Sequence, residues 1–479
     1  MNIEITSEKV LGNIIIAAAG AAAIAAVTWY LTVDPVRYMV MRVPGMDGAA
    51  RMKAEEAEEV NIGEHFAEYG GSAAELAGRW TGFRGPARDN TVAAGETLLD
   101  RLPENGLEPL WSVELGEGHA GAAVWDGRVY VLDYDEEARA DALRCFSLAD
   151  GQEIWRRWYQ VTLKRNHGMS RTVPSVADGL AVTIGPKCHV MCVDAVTGEL
   201  KWTLDMQEEY GVETPFWYTA QCPLVDDGTV VLAPAGPDVL MAGIDIYTGA
   251  VKWETPNPDG FQMSHASVMP MELDGEKMYV YSAVGGIAGV AADSGSIAWS
   301  STEWDYSVVA PSPVILDDGR IFLTAGYGAG AMTIQVSSSD GEYSVDILDE
   351  YGPGQGLASE QHTPIVFQGH IFGVLPRDGG ILKEQFVCYN INECRKPVWN
   401  SGKAKRFGLG PFILADGKFY IMDDSGRMTI IKASPDAYRE LDSFRLFEGR
   451  NAWAPIAVAG ELMLVRDSTR MFCFNMRKR

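Results

Sequence analysis

The stretch "DAVTGELKW", residues 194–202, decides the fold because it recurs along the chain. Asp245 opens "DIYTGAVKW", Ala292 opens "ADSGSIAW" and Leu148 opens "LADGQEIW", each a turn rich in Asp and Gly that leads to a tryptophan. Weaker copies keep a bulky apolar residue in the same slot, at steps of 42 to 54 residues. The series runs through Trp111, Trp155, Trp202, Trp253, Trp299, Val345, Trp399 and Leu441. Self-similarity at this period is typical of a stacked or radial array.

A second series of residues repeats in phase with the first. A proline followed five or six residues later by a glycine occurs seven times, from Pro174 and Gly179 to Pro455 and Gly460. Short apolar runs such as "RVYVL", "KMYVY" and "KFYIM" follow the glycine. Glycine supplies the positive φ of a hairpin turn, and β-branched and aromatic residues favour strands. Each repeat therefore predicts about four short antiparallel strands, which is the content of one propeller blade.

Eight such repeats predict an all-β, eight-bladed β-propeller over residues 106–479. The last repeat has room for three strands only, so we expect the strand around Trp111 to supply the fourth and to close the ring, which removes exposed sheet edges. In this interpretation the tryptophans of the first series dock neighbouring blades against one another. They are Trp111, Trp155, Trp202, Trp253, Trp299 and Trp399.

The N-terminal part of the chain differs in composition from the repeats. After a short tail, 1–10, residues 11–33 carry no charge and would be ~35 Å long as a helix, enough to cross a bilayer. A cleaved signal peptide is the alternative, because "AIA" at residues 23–25 fits a small-residue cleavage site. One basic residue precedes this segment and four follow it closely, and this count alone favours a cytoplasmic C-terminal side.

Residues 34–105 are predicted to form a stalk and a docking segment. Within "SAAELAGRW", Ser72 and Glu75 have the spacing of a capping box and predict a short helix. The following "WTGFRGPARDNT" has two aromatic residues and a Gly-Pro turn, which favour docking on the propeller over a free linker. Trp80 and Phe83 are predicted to be packing anchors.

Composition limits the classes of partner and of site. The net charge of −25 and the absence of a basic cluster argue against a nucleic-acid partner. The two cysteines of "CHVMC", residues 188–192, are interpreted as buried strand residues, whereas Cys388 and Cys394 flank a predicted hairpin and leave a disulfide open. The acidic run "DYDEEARAD", residues 133–141, matches no rigid calcium loop and is interpreted as a solvated hairpin.

The residues just before the innermost strand of each blade are predicted to line the mouth of the central channel. Four of the seven histidines fall there. Histidines at such a place have four alternative roles: to bind a metal ion, to act as general bases, to hold an anion together with arginines, or to form hydrogen bonds with buried backbone groups where the strands crowd together. The sequence leaves the identity of any metal unknown. No catalytic residue is assigned. The predicted ligand-binding residues are His119, His167, Arg171, Gln221, His265, Glu360, Gln361, His362, Arg406 and Trp453.

The "D-x-x-T-G-x-x-x-W" units resemble the tryptophan-docking repeats of the PQQ-like, quinoprotein alcohol dehydrogenase-like propellers. That family contains quinoprotein dehydrogenases and a non-enzymatic, BamB-like branch. In the enzymes, the resemblance implies PQQ stacked between a tryptophan and a disulfide of two adjacent cysteines, with Ca²⁺ beside it. This chain has no adjacent cysteine pair and a short propeller, and both features favour the non-enzymatic branch.

The resemblance therefore implies a membrane-anchored, non-catalytic scaffold for binding or assembly at the bacterial cell envelope. We expect a single-pass protein of the inner membrane with an extracytoplasmic propeller, protein partners in an envelope complex and no cofactor. The alternative is a quinoprotein-like oxidoreductase that depends on PQQ and calcium, or another enzyme that uses the channel-mouth histidines.

Overall fold

The computed structural model describes residues 16–25, 27–28, 60–93, 95, 97–103 and 106–478, and the chain divides into two units, 1–59 and 60–479. In the first unit, residues 16–25 are helical. The predicted tail, most of the predicted anchor and the stalk up to residue 59 lie outside the described residues. Within the described part of the chain, no helix combines the length and the apolar character needed to cross a membrane.

The second unit is an eight-bladed β-propeller, as the repeats predict, with eight antiparallel sheets. Each blade runs from an innermost to an outermost strand, and the innermost strands of the last, first, second and third blades contact their neighbours in turn. The strands of the first four blades are β3 (Ala123–Trp125), β4 (Arg128–Asp135), β5 (Ala140–Ser147), β6 (Glu153–Gln160); β7 (Ser175–Ala177), β8 (Leu180–Ile184), β9 (His189–Asp194), β10 (Leu200–Asp205); β11 (Leu224–Asp226), β12 (Thr229–Leu232), β13 (Val239–Asp245), β14 (Val251–Pro256); β15 (Met269–Leu273), β16 (Glu276–Ala283), β17 (Gly286–Ala291), β18 (Ile297–Ser301).

The last four blades repeat this order, and the helical elements outside the blades are short. A one-turn α-helix, Met206–Tyr210, follows β10, and a 3₁₀ turn, Gly380–Leu382, lies between the second and third strands of the sixth blade. The strands are β19 (Val314–Ile315), β20 (Arg320–Ala325), β21 (Gly330–Ser339), β22 (Glu342–Tyr351); β23 (Ile365–Phe367), β24 (His370–Val374), β25 (Phe386–Asn390), β26 (Glu393–Asn400); β27 (Phe412–Ala415), β28 (Lys418–Met422), β29 (Arg427–Lys432), β30 (Glu440–Arg445); β31 (Ala457–Ala459), β32 (Leu462–Arg466), β33 (Arg470–Asn475).

Two strands from the N-terminal side complete the sheets. β2 (Trp111–Glu114) pairs with β33, so that Trp111 lies opposite Cys473 and the last blade contains both ends of the repeat array. β1 (His65–Glu68), which lies within the predicted stalk, pairs with β6 as a fifth strand of the first blade. The ring is thus closed because an N-terminal strand completes the C-terminal blade, and part of the predicted stalk belongs to the first blade.

Four of the repeated tryptophans pack on the turn glycine of the following blade. The Trp155 indole donates a hydrogen bond to the Val196 carbonyl over 3.1 Å and lies on Gly198, where a Cβ atom would approach the ring to 2.8 Å. Gly198 has a φ of 71°, a conformation that favours glycine. The same contact joins Trp111 to Gly151, Trp202 to Gly249 and Trp253 to Gly295. The Asp-x-x-Thr-Gly turn and the tryptophan are therefore two halves of one inter-blade contact.

The residues before Trp80 are not helical, so the predicted helix from Ser72 is wrong. The chain there is irregular and extended, and the Ala74 amide donates to the Gly127 carbonyl over 3.0 Å. Gly78 lies so close to Gly460 that a Cβ atom would come within 2.3 Å of its nitrogen. Backbone contacts with two blades thus replace the local hydrogen bonds that a capping box offers.

Residues 80–92, the crossing segment, run over the innermost strands of five blades. Trp80 bridges to β3, the Thr81 carbonyl accepts from β7, and Thr91 bridges to β27. Between these points the Arg88 guanidinium donates to β11 over 2.5 Å, and that of Arg84 donates to the carbonyl before β23 over 3.4 Å. The segment therefore crosses the central channel and is docked on the propeller.

Two further expectations change in the structure. All seven cysteines are buried and free, so the bridge between Cys388 and Cys394 is not formed. Of the two cysteines of "CHVMC", Cys192 lies in β9 as expected, whereas Cys188 is buried in the turn before that strand, with a φ of 67°. The acidic run is solvated only at its turn. Asp133 is buried in a 2.9 Å ion pair with Arg144, and Asp141 is buried beside the Tyr159 hydroxyl. Antiparallel pairing of β4 with β5 carries both ends of the run into the sheet.

Candidate functional site

A cavity of ≈ 300 Å³ lies at the channel mouth, where the innermost strands begin. Phe83 of the crossing segment contributes to its wall, so this segment bounds the cavity on the channel side. Eight of the ten residues predicted to lie at the channel mouth line this cavity. They are His119, His167, Arg171, His265, Glu360, Gln361, His362 and Trp453.

The other two predicted residues are used elsewhere. The side-chain amide of Gln221 is fully buried, donates to the Ala233 carbonyl over 3.0 Å and accepts from the Ala233 amide over 2.9 Å. The Arg406 guanidinium donates to the Lys383 carbonyl. Neither lines the cavity, so the structure assigns Gln221 to backbone pairing and Arg406 to a loop.

Several lining residues were missed by the sequence analysis. Trp217 lies in the connection between the second and third blades, whereas Tyr327 and Arg377 lie on turns between the second and third strands of their blades. In an up-and-down blade these turns lie at the same end as the start of the innermost strand. The strand order alone would have pointed to Tyr327 and Arg377, and the aromatic run "FWY" at residues 216–218 would have pointed to Trp217.

Aromatic rings form two sides of the cavity. On one side the Trp217 ring lies between Tyr327, at 5.5 Å between ring centroids, and His265, at 6.1 Å. On the other side the Trp453 ring lies 5.0 Å from that of His119, and the Arg377 guanidinium lies over it at 5.9 Å. These rings present apolar faces, which is the common lining of small-molecule pockets.

Three of the lining histidines are neutral and each has an unpaired nitrogen. Burial, with a contribution from Arg171, lowers the pKa of His119 to about 3 and that of His265 to about 4. Burial lowers the pKa of His362 to about 4. His119 Nε2 lies 3.0 Å from the His167 carbonyl, but His119 Nδ1, His265 Nδ1 and His362 Nε2 are buried without a partner. An unmet hydrogen-bonding group of this kind costs stability.

The charged groups near the cavity are held by backbone groups. Arg171 donates to the carbonyls of Trp217 over 2.6 Å and His167 over 2.9 Å, and burial lowers its pKa to about 10, so it stays a cation. Glu360 accepts from the Arg377 amide over 3.2 Å. Burial raises the pKa of the Glu360 carboxyl. These contacts fix loops around the mouth.

The residues present do not fit the PQQ and calcium site that the enzymatic branch implies. Among residues 60–93, 95, 97–103 and 106–478, no three His, Cys, Asp or Glu side chains come together as metal ligands. Cys222 lines the cavity, but the sequence has no adjacent cysteine to form the stacking disulfide. Tryptophan rings are present at the cavity, but the disulfide and the metal ligands that would hold PQQ and Ca²⁺ are not found among the described residues.

Comparisons with known proteins agree on the family. The family model of the outer membrane protein assembly factor BamB matches residues 139–383. A comparison with curated proteins found no match.

Solved structures with the same fold are similar at low identity. BamB from Moraxella catarrhalis is 12% identical, with a TM-score of 0.51 over 77% of this chain and 99% of that chain. A europium-containing methanol dehydrogenase is 11% identical, with a TM-score of 0.60 over 84% and 98%. A quinohemoprotein alcohol dehydrogenase from Pseudomonas putida is 13% identical, with a TM-score of 0.54 over 83% and 80%. Such likeness concerns the fold, which both enzymes and assembly factors share.

Proposed function

The chain belongs to the PQQ-like β-propeller family of the outer membrane protein assembly factor BamB, and we propose that it is a non-catalytic binding scaffold at the bacterial cell envelope. The observation that carries this proposal is the state of the channel mouth. It is an aromatic cavity in which burial keeps His119, His265 and His362 neutral, and in which the Arg171 guanidinium is bonded to backbone carbonyls. Such a cavity is suited to recognition.

The acid–base properties of the mouth argue against catalysis there. A general acid or base works best when its pKa lies near the working pH. His119, His265 and His362 have pKa values lowered to between about 3 and about 4, so they are weak bases at neutral pH. Burial raises the pKa of the Cys222 thiol to about 11, which leaves it a poor nucleophile.

The proposal includes an anchor and a partner. The uncharged residues 11–33 are long enough for one membrane crossing, and the family model that matches the chain is that of an outer membrane protein assembly factor. We therefore place the protein in the inner membrane with an extracytoplasmic propeller that contacts proteins of an envelope complex. A quinoprotein-like oxidoreductase remains the alternative function.

Purification from native membranes tests the scaffold. We expect the tagged full chain to sediment with membranes and to retain a stoichiometric partner after mild detergent extraction, because anchor and propeller act together. Deletion of residues 11–33 should release the protein into the soluble fraction. A chain that sediments and carries no partner after cross-linking would contradict the assembly role.

A turnover assay separates the scaffold from the enzyme. The full chain is incubated with PQQ and Ca²⁺ and assayed with an artificial electron acceptor over simple alcohols and sugars. We expect no rate above the protein-free background, since the donor set for the cofactor is not present in the described residues. A rate that disappears in His265→Ala would overturn the non-catalytic role.

A further inference from the structure

We propose that the channel-mouth cavity binds the neutral, hydroxylated ring of a saccharide. The inference rests on the proposed scaffold function and names the class of ligand that the scaffold recognises. It stands on three features of the cavity: its aromatic sides, its unpaired neutral hydrogen-bonding groups and the balance of its charges.

The first feature is the shape and lining of the cavity. A volume of ≈ 300 Å³ is at the small end of ligand pockets, roughly 300–1,000 Å³, and suits one or two sugar rings. Phe83 adds a further aromatic ring to the lining. Trp217 and Tyr327 stand on one side and Trp453 on the other. A pyranose ring has apolar C–H faces that pack against such aromatic faces through weak C–H contacts.

The second feature is the set of unpaired ring nitrogens. His119 Nδ1, His265 Nδ1 and His362 Nε2 are buried without a well-aligned hydrogen-bond partner, and backbone groups of Tyr218 lie near His265 and those of Leu409 and Trp453 near His362. A neutral imidazole nitrogen is a donor or an acceptor according to its tautomer, and a hydroxyl group serves as either. A ligand hydroxyl that bonds to one of these nitrogens does so without a change in its protonation, whereas an apolar ligand leaves the nitrogen unpaired at a cost in affinity.

The third feature is the charge around the cavity. Among the lining residues the cations Arg171 and Arg377 are accompanied by the Glu360 carboxyl group, and behind the lining the Asp424 carboxylate accepts from the Trp453 indole over 2.8 Å. Arg171 already donates to backbone carbonyls, so its charge is partly committed. A carboxylate or phosphate ligand would have to lie beside these two acids. The balance therefore favours a neutral ligand over an anion.

Binding of defined probes tests the inference on the full chain in detergent. Maltose, cellobiose, lactose and diacetylchitobiose are titrated by calorimetry and by saturation-transfer NMR, with citrate, inorganic phosphate and an acidic peptide as separate arms. We expect saturable binding of at least one disaccharide and none of the anions. If no disaccharide binds up to roughly 10 mM, or if an anion or the peptide binds in its place, the saccharide assignment is wrong.

A matched pair of tyrosines locates the binding. Tyr327 is 56% exposed and lines the cavity, whereas Tyr247 is 57% exposed and does not. Tyr327→Ala should weaken disaccharide affinity about 5- to 10-fold through loss of a ring face, and Tyr247→Ala should leave it unchanged. Equal effects of the two variants would place the sugar outside the cavity. A fold check by circular dichroism shows that both variants keep the propeller.

The two proposals fail separately. Retention of a membrane partner without disaccharide binding overturns the saccharide assignment and leaves the scaffold. Disaccharide binding accompanied by dye-linked oxidation of that sugar overturns the non-catalytic role and leaves the assignment of the ligand.

Discussion

The contact between neighbouring blades, called the seam here, uses repeated residues, whereas the mouth of the channel uses residues that differ from blade to blade. At four of the seams the same contact recurs, a tryptophan on the turn glycine of the next blade, as Trp155 lies on Gly198. At the mouth each blade contributes a different side chain, such as His119 from one blade and His265 from another. Repetition serves packing, which every blade needs, whereas a binding site needs different groups at different points. The difference teaches that function is to be sought among unrepeated residues.

The largest expected effect breaks the seam. Trp155 is fully buried, and Trp155→Ala should lower the free energy of unfolding by about 3–5 kcal/mol, because it removes a large ring and leaves a cavity against Gly198. Urea denaturation measures the loss. The mouth should be unaffected, so the disaccharide affinity of the folded variant should match that of the parent.

Val345→Ala is the control, since Val345 also lies on an outermost strand but is smaller and only partly buried. We expect a loss of about 1 kcal/mol from this truncation. A loss as large as that of Trp155→Ala would show that the indole contact is not what stabilises the seam.

A buried arginine beneath the mouth gives the next largest effect, with the opposite sign. Arg84 and Arg466 are both buried, and burial lowers the pKa of each to about 10. Arg84 makes one long contact, 3.4 Å, whereas Arg466 donates to the carbonyls of Gly116 over 2.9 Å and Ala120 over 3.1 Å. Arg84→Met should therefore raise the free energy of unfolding by about 1–3 kcal/mol, as an under-compensated buried charge is removed.

Arg466→Met is expected to destabilise the protein, because it leaves those carbonyls without a donor. Thermal and urea unfolding of both variants measure the two signs. Destabilisation by both substitutions would mean that the Arg84 cation is well compensated inside the channel.

The effect that is smallest per pH unit is that of His119, and it sharpens the description of the mouth. The folded-state pKa of His119 is about 3, below its ordinary value of 6.5, because burial disfavours the cation. Between these values the unfolded chain binds more protons, so stability falls as the pH drops from 6.5 toward 3, by up to about 1.4 kcal/mol per pH unit. In His119→Phe this slope should decrease by about one proton. An unchanged slope would show that His119 is protonated in the folded state.

Particular residues show how far the sequence reached into the site. His119, His265 and His362 were found because each precedes the innermost strand of a blade, a position that the repeat phase marks. Arg406 has the same position in the sequence, but its guanidinium turns to the Lys383 carbonyl. Phe83 was expected only to pack, and it lines the cavity because residues 80–92 cross the channel. Periodicity locates a backbone position, but side-chain direction depends on neighbouring loops.

The sequence by itself determined the eight-bladed propeller and its docking tryptophans, because each repeat carries its turn, strands and seam contact within one period. The tertiary structure decided what no period contains. It placed the crossing segment against five blades, carried β1 into the first blade and brought Trp217, Tyr327 and Trp453 to one cavity. Local hydrogen bonding and hydrophobic patterning act over a few residues, whereas these contacts join positions far apart in the chain and form only when the ring has closed.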